Sequence, residues 1–464
     1  MNVNPITRLD YPDPDVIRVE DTYYMVSTTM HFMPGCEILQ SFDLVHWEHA
    51  TYVYETLDHT DAQQLKSGQN IYGQGMWAAS LRYHEGRFYI CFVANDTRKT
   101  YLYTSEKIDG PWKKQLIEGF YHDASLLFDE DGRNYIVYGN DEIWITELNE
   151  DLTAPKKDGL HRLLVSDHKN PELGYEGSHI QKINGYYYIF LIHSLRDRWM
   201  RTEACFYSDS LEGEFTGGDV LCDDRGYCGQ GVAQGGIVDT PDGKWYAMLF
   251  QDSGAVGRIP ILLPVTWKDH FPVFGQNGHV PEEIEVHSTR PGYIYQPLVG
   301  SDDFCNGLLP RWQFNHDPDP RYYHLDALQG TYTITTREVC TELTQAVNTL
   351  TQRMSYPSCA AEVTVDASAL KEGDVAGLCA LQSCYAAVGI TKHHGKYEVL
   401  MLDKKEDGIL DMTEGTVVES HQMDFRLEAD FCNMKDEARC YYRVNKGDWL
   451  PIGTVHKLYF KLDH

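Results

Sequence analysis

The sequence is short of positive charge. Its 464 residues hold 40 Lys+Arg against 69 Asp+Glu, a formal net charge of −29 with His neutral, and no local basic cluster offsets the excess. Such a field repels phosphate backbones and anionic lipid, so neither nucleic acid nor a membrane surface is an expected partner. No run of 18 apolar residues occurs, which excludes an ordinary spanning helix. The opening MNVNPITRLDYPDPDV lacks a basic start followed by an apolar run, so no secretory signal is expected. The 12 Cys form neither a CxxC pair nor a His/Cys cluster of zinc spacing. They read as reduced thiols, and the expected location is cytoplasmic. Helix signals are also scarce.

Aromatics are plentiful, at 12% of the chain, and suit stacking on a neutral polar ligand. The length exceeds what one core usually serves, so two domains are expected. Through residue 280 the apolar residues come in short runs rich in Tyr, Val, Ile and Phe, broken by Gly, Asp, Asn and Pro, the mark of short strands and tight turns. Five segments share one hairpin pattern: PDPDVIRVEDTYYMVS, WAASLRYHEGRFYICF, DASLLFDEDGRNYIVY, EGSHIQKINGYYYIFL and QGGIVDTPDGKWYAML. Registering them on their turns aligns Asp13, Trp77, Asp123, Glu176 and Gln234, at intervals of 64, 46, 53 and 58 residues. Each interval accommodates a four-stranded sheet, so the repeat predicts an all-β fold beginning with a five-bladed β-propeller over 1–280. A linker is expected at 281–300. Longer alternating strands from GTYTITT to KLYFKLD predict a β-sandwich over 301–464.

Inner-strand positions converge on one end of a propeller channel, and three of the five aligned residues are acids: Asp13, Asp123 and Glu176. Like charges brought together resist joint ionisation, so at least one pKa is pushed up. Acetal hydrolysis uses such a set. One carboxylic acid donates to the leaving oxygen, another, ionised, activates water or attacks, and a third tunes the donor. Asp15, Asp21, Asp129, Asp131 and Asp242 read instead as turn or strand-end residues. Trp77 is a candidate for stacking on a sugar ring.

The runs YPDPDVIR, MWAASLRY, DASLLFDEDGRNYIVYG, YEGSHI and GIVDTPDGKWYAMLFQD, followed by GAVGRIP and PVTW, closely resemble glycoside hydrolase family 43. WQFNHDPD and GDVAGL extend the resemblance into the second domain, toward the two-domain β-xylosidase and α-L-arabinofuranosidase branch. The resemblance implies inverting hydrolysis, with Asp13 as general base, Glu176 as general acid, and Asp123 raising the acid's pKa and orienting it. Inversion needs the two carboxyls about 6.5–9.5 Å apart to admit a water. Arg258 of GAVGRIP matches a family arginine that contacts substrate hydroxyls. His31 and Phe32 of MHFMPG are candidate walls of the sugar pocket, and Gln234 lines it.

Two departures stand out. Relatives place a His near Gln234 that is associated with a calcium or sodium ion on the axis; here the segment is AQGG, so no metal ligand is carried over. His122 and His179 are the nearby alternatives. No cofactor is required by the chemistry, and a calcium, if bound, would be structural. Relatives also continue beyond a segment like KLYFKLDH, so either the closing strands are missing here or this sandwich closes differently. The expected activity is exo-acting release of terminal α-L-arabinofuranose from arabinoxylan or its oligosaccharides, a hemicellulose-derived substrate. β-D-xylosidase action on xylo-oligosaccharides is the close alternative, and a non-catalytic carbohydrate-binding propeller is the alternative of a different class. A homo-oligomer is compatible with all three.

Overall fold

The structure, a computed structural model, describes residues 3–459. Five antiparallel four-stranded sheets follow one another along the chain, at 15–54, 76–117, 125–166, 176–221 and 237–274. These are the five blades of the expected propeller. Their innermost strands are Asp15–Val19, Met76–His84, Ser125–Phe128, Glu176–Ile183 and Ile237–Asp239, each paired with the next strand in sequence. The turns supply the hairpin geometry. Asn184 and Gly185 both take positive φ (51° and 85°), which a two-residue turn between twisted strands requires.

Apolar side chains do not pool in one centre. Among the described residues they form clusters at each of the five junctions between neighbouring blades. Phe92 and Ile38 lie between blades 1 and 2, Leu102 and Ile136 between 2 and 3, and Val137 and Ile189 between 3 and 4. Phe190 and Ile261 lie between blades 4 and 5, and Met25 and Met248 between 5 and 1. The last junction also takes Ile6, Leu9 and Tyr11 from the N-terminal segment. That segment is tied to blade 5 by Asn4 Nδ2 donating to the Leu262 carbonyl (2.7 Å) and Ile6 N to Pro260 (2.8 Å). The axis is polar. Asp15 is fully buried and accepts from Leu81 N (2.7 Å) and Arg82 Nη1 (2.8 Å), with His179 Nδ1 at 3.0 Å. Asp15 thus opens the first strand, the strand-end place expected of it, and also links blades 1, 2 and 4.

Residues 258–341 and 345–353 group with the propeller in one compact unit; 253–257, 342–344 and 354–464 form the other. The sequence boundary at 301 and the spatial division thus differ. The reason is strand pairing: Gln313–Asn315 lies antiparallel to Phe32–Met33 in the blade 1 loop and to Leu350–Thr351. The second unit is a β-sandwich of two antiparallel sheets. One runs Ser358–Asp366, Gln422–Asp430, Glu437–Arg443, Leu450–Lys457; the other is built on Val375–Ala380, Tyr385–His393 and Lys396–Lys404. Period-two alternation is clear in Gln422–Asp430, where Met423, Phe425, Leu427 and Ala429 are buried. The strand expected at KLYFKLD ends at Lys457. Phe460–His464, on which the question of a complete sandwich turns, lie outside the described residues.

Candidate active site

Asp13 precedes the first inner strand by two residues and Asp123 the third by two; both have left-handed backbones, with φ of 53° and 48°. Gln234, ahead of the fifth, shares the twist (φ 61°), and in blade 4 Gly177 takes it (φ 63°) directly after Glu176. Non-glycine residues rarely sit there, so the repeat register reappears as a shared, mildly strained twist at the heads of inner strands.

Asp13 is 7% exposed. Its Oδ1 lies 3.0 Å from Arg258 Nη1, and Thr28 Oγ1 donates to its Oδ2 at 2.5 Å. Arg258 is itself only 5% exposed, not a surface ion pair. Burial would lower its pKa, but the Asp13 and Asp252 carboxylates raise it and keep the guanidinium charged. It stands 4.9 Å over the Phe250 ring, and Asp252 also lies 3.3 Å from Arg201.

The other two acids share a cation. His122 Nε2 is 3.3 Å from Glu176 Oε2 and 3.5 Å from Asp123 Oδ2. Burial alone would lower the His122 pKa, but Asp123 and Glu176 raise it to about 9, so the ring is an imidazolium at neutral pH. Asp123 moves up to about 6, chiefly through burial; His122 lowers it, and Glu176 and Asp13 raise it. The Gly177 N–H donates to Asp123 Oδ2 at 3.0 Å, and Asn140 Nδ2 to Glu176 Oε2 at 2.9 Å. His122, Asp123 and Glu176 bring ligand-type atoms within 4.8 Å of one another. A charged imidazole has both nitrogens protonated and donates hydrogen bonds, so a metal bound here would have to displace a proton from His122. His179, the second histidine considered for an ion, is bound to Asp15 in the axis.

Trp77 is half-buried, donates to the Gly73 carbonyl (3.3 Å) and meets the His122 ring edge-on at 5.8 Å. The Gln234 side chain packs on Gly177, and its backbone N–H donates to the buried Glu203 (2.7 Å). His31 and Phe32 form an aromatic group, with rings 4.2 Å apart, and Tyr72 and His316 each 4.8 Å from His31. Burial lowers the His31 pKa to about 3, so that ring is neutral. Thus Asp123, Glu176 and Trp77 are gathered through His122, Asp13 is joined to Arg258, and Gln234 abuts the Glu176 turn. Sequence reasoning missed Thr28, Asn140, Tyr72 and His316, and treated His122 only as a possible ion ligand. The one available signal was position: Asn140 ends a second strand opposite the acid end of blade 3.

These features define a five-bladed propeller that gathers carboxyls of the kind acid–base hydrolysis uses at the heads of its inner strands. Residues 3–272 match Glycosyl hydrolases family 43, and 301–461 match the Beta xylosidase C-terminal Concanavalin A-like domain. The chain belongs to glycosyl hydrolases family 43. A Beta-xylosidase of Formosa agariphila is 27% identical, over 86% of this chain and 76% of its own. A non-reducing end alpha-L-arabinofuranosidase of Bacteroides ovatus is 24% identical, over 88% of this chain and 79% of its own. Among solved structures, a bifunctional GH43-CE protein of Bacteroides eggerthii superposes with a TM-score of 0.92 at 41% identity. That match covers 99% of this chain but spans only 59% of the bifunctional one.

Proposed function

We propose that the chain is an exo-acting, inverting glycoside hydrolase that releases terminal α-L-arabinofuranose from arabinoxylan or its oligosaccharides. The observation that carries the reading is the division of three carboxyls between two electrostatic settings. Asp13 is paired with Arg258, whereas Asp123 and Glu176 share the His122 imidazolium. Carboxyls held in different environments are how one site runs acid and base steps together. In this reading Asp13 takes a proton from the attacking water, and Glu176 gives to the leaving oxygen a proton that the hydrogen-bonded His122–Glu176 pair carries. Asp123 orients the acid through the Gly177 turn and adds negative charge beside it. Arg258 serves sugar hydroxyls from beside Asp13, with Trp77, His31, Phe32 and Gln234 as further candidates for the pocket. No step uses a metal, and any calcium would be structural.

β-D-xylosidase action is the second reading, favoured by the name of the Formosa agariphila relative. Xylose and arabinofuranose offer similar hydroxyls to such a pocket. Arabinose and xylose release from the nitrophenyl glycosides, then from arabinoxylo- and xylo-oligosaccharides, ranks the two. Failure to release either pentose would rule out both and leave a carbohydrate-binding propeller.

A further inference from the structure

The Asp13 carboxylate is carried on a short strap, residues 10–13, whose backbone is held from three sides. Tyr11 N donates to the Arg258 carbonyl (3.0 Å), Asp10 Oδ1 accepts from Arg258 N (2.7 Å), and Pro12 O accepts from Thr28 N (3.1 Å). The third hold comes from far along the chain. Arg353 Nε donates to the Asp10 carbonyl at 2.8 Å, and its guanidinium lies 4.2 Å over the Tyr11 ring. Its Nη1 pairs with Glu37 at 2.9 Å, and Glu37 is 3% exposed and has His49 on its other oxygen at 2.9 Å. We propose that Arg353 is a positioning residue for the general base: by gripping Asp10 and Tyr11 it sets where the Asp13 carboxylate stands.

Three points support it. Asp13 has a left-handed φ of 53°, a conformation that persists only where its surroundings impose it. A planar guanidinium can hydrogen-bond in its plane and stack on a ring at once, which a lysine ammonium cannot. Burial pushes the Asp10 pKa up to about 6; the Arg258 N–H, Arg353 and Arg258 pull it down, while Asp13 adds to the rise, so Arg353 also helps keep the acceptor of Arg258 N charged.

This inference rests on Asp13 being the base, and its test separates the two claims. An Arg353→Met variant leaves Glu37 a buried carboxylate with His49 beside it but without its arginine, so it loses stability whatever its effect on catalysis. Adding Glu37→Gln removes that charge while keeping a hydrogen-bond partner for His49. Melting temperature, kcat and KM are read on whichever nitrophenyl pentoside the wild type hydrolyses. Positioning predicts that R353M loses both melting temperature and kcat. The double variant should regain most of the melting temperature but stay about 10–100-fold low in kcat, with KM within about threefold, as a displaced catalytic group does. Recovery of kcat together with the melting temperature, or no loss of kcat in R353M, overturns the proposal and leaves Arg353 a structural ion pair. Asp13→Asn checks the reading beneath: an active D13N would sink the base assignment itself, whereas an inactive D13N beside an unaffected R353M would sink only the role of Arg353.

Discussion

His122 stands between Glu176 and Asp123 and is charged at neutral pH, so the repulsion that three gathered acids would suffer is relieved by a residue beside the motif. Its folded pKa, about 9, lies above the ordinary 6.5. Its contribution to stability is complete below pH 6.5 and is lost as pH rises through 9. The raised pKa of Asp123, about 6, works at lower pH: its contribution is complete below 3.8 and gone above about 6. Melting temperature should therefore fall between pH 6.5 and 9.5, by a stability of about 3 kcal/mol at most, and His122→Gln should flatten that slope. An unchanged slope would mean that the ring is neutral in the fold. Glu176→Gln should keep the fold and lose activity by about 10²–10⁴-fold, with a smaller loss on a leaving group that needs no protonation. Equal losses on good and poor leaving groups would remove Glu176 from the acid's role.

The turn at the head of the fourth inner strand ties the acid to its modulator. Gly177 has φ +63°, a Cβ there would come 2.7 Å from the Gln234 side chain, and its N–H holds Asp123. Gly177→Ala should cost about 1–3 kcal/mol through backbone strain and the clash, and should lower kcat as well, since Glu176 is the preceding residue. A G177A protein with wild-type melting temperature and kcat would show that the turn tolerates displacement. The hairpins themselves were legible in sequence because their turn residues and aromatic second strands repeat. The bulges within Met76–His84 and Glu176–Ile183 were not, since a one-residue insertion leaves no mark in an alternating pattern.

For the propeller unit as a whole, stability lies in five junctions rather than one core, and a ring of that kind depends on every junction being closed. Residues 313–317 add to this closure. Gln313–Asn315 pairs with the blade 1 loop, His316 Nε2 accepts from Ile71 N (2.9 Å), and Asp317 N donates to the Gln63 carbonyl (2.9 Å). A chain ending at residue 300 loses these bonds together with the Arg353–Glu37 pair. It should be recovered largely as insoluble or inactive protein in a fractionation and activity assay. A soluble 1–300 fragment with full kcat would show that the later segment is dispensable. Activity should also survive prolonged EDTA treatment, because no proposed step uses an ion; a loss restored by calcium would place an ion in the working structure.

The amino-acid sequence alone determined the repeat, and through it the number of blades, the hairpin register and the place of Asp13, Asp123 and Glu176 at the heads of inner strands. Those properties are local, written in turns and strand patterns a few residues long. It could not say that His122 faces two of the acids, that Asn140 supports Glu176, that Asp15 is an axial link, or that Arg353 reaches back to Asp10. Apart from His122 beside its neighbour Asp123, each of these is a contact between residues distant in sequence, and only the closing of the blades brings such partners within hydrogen-bonding distance and out of water.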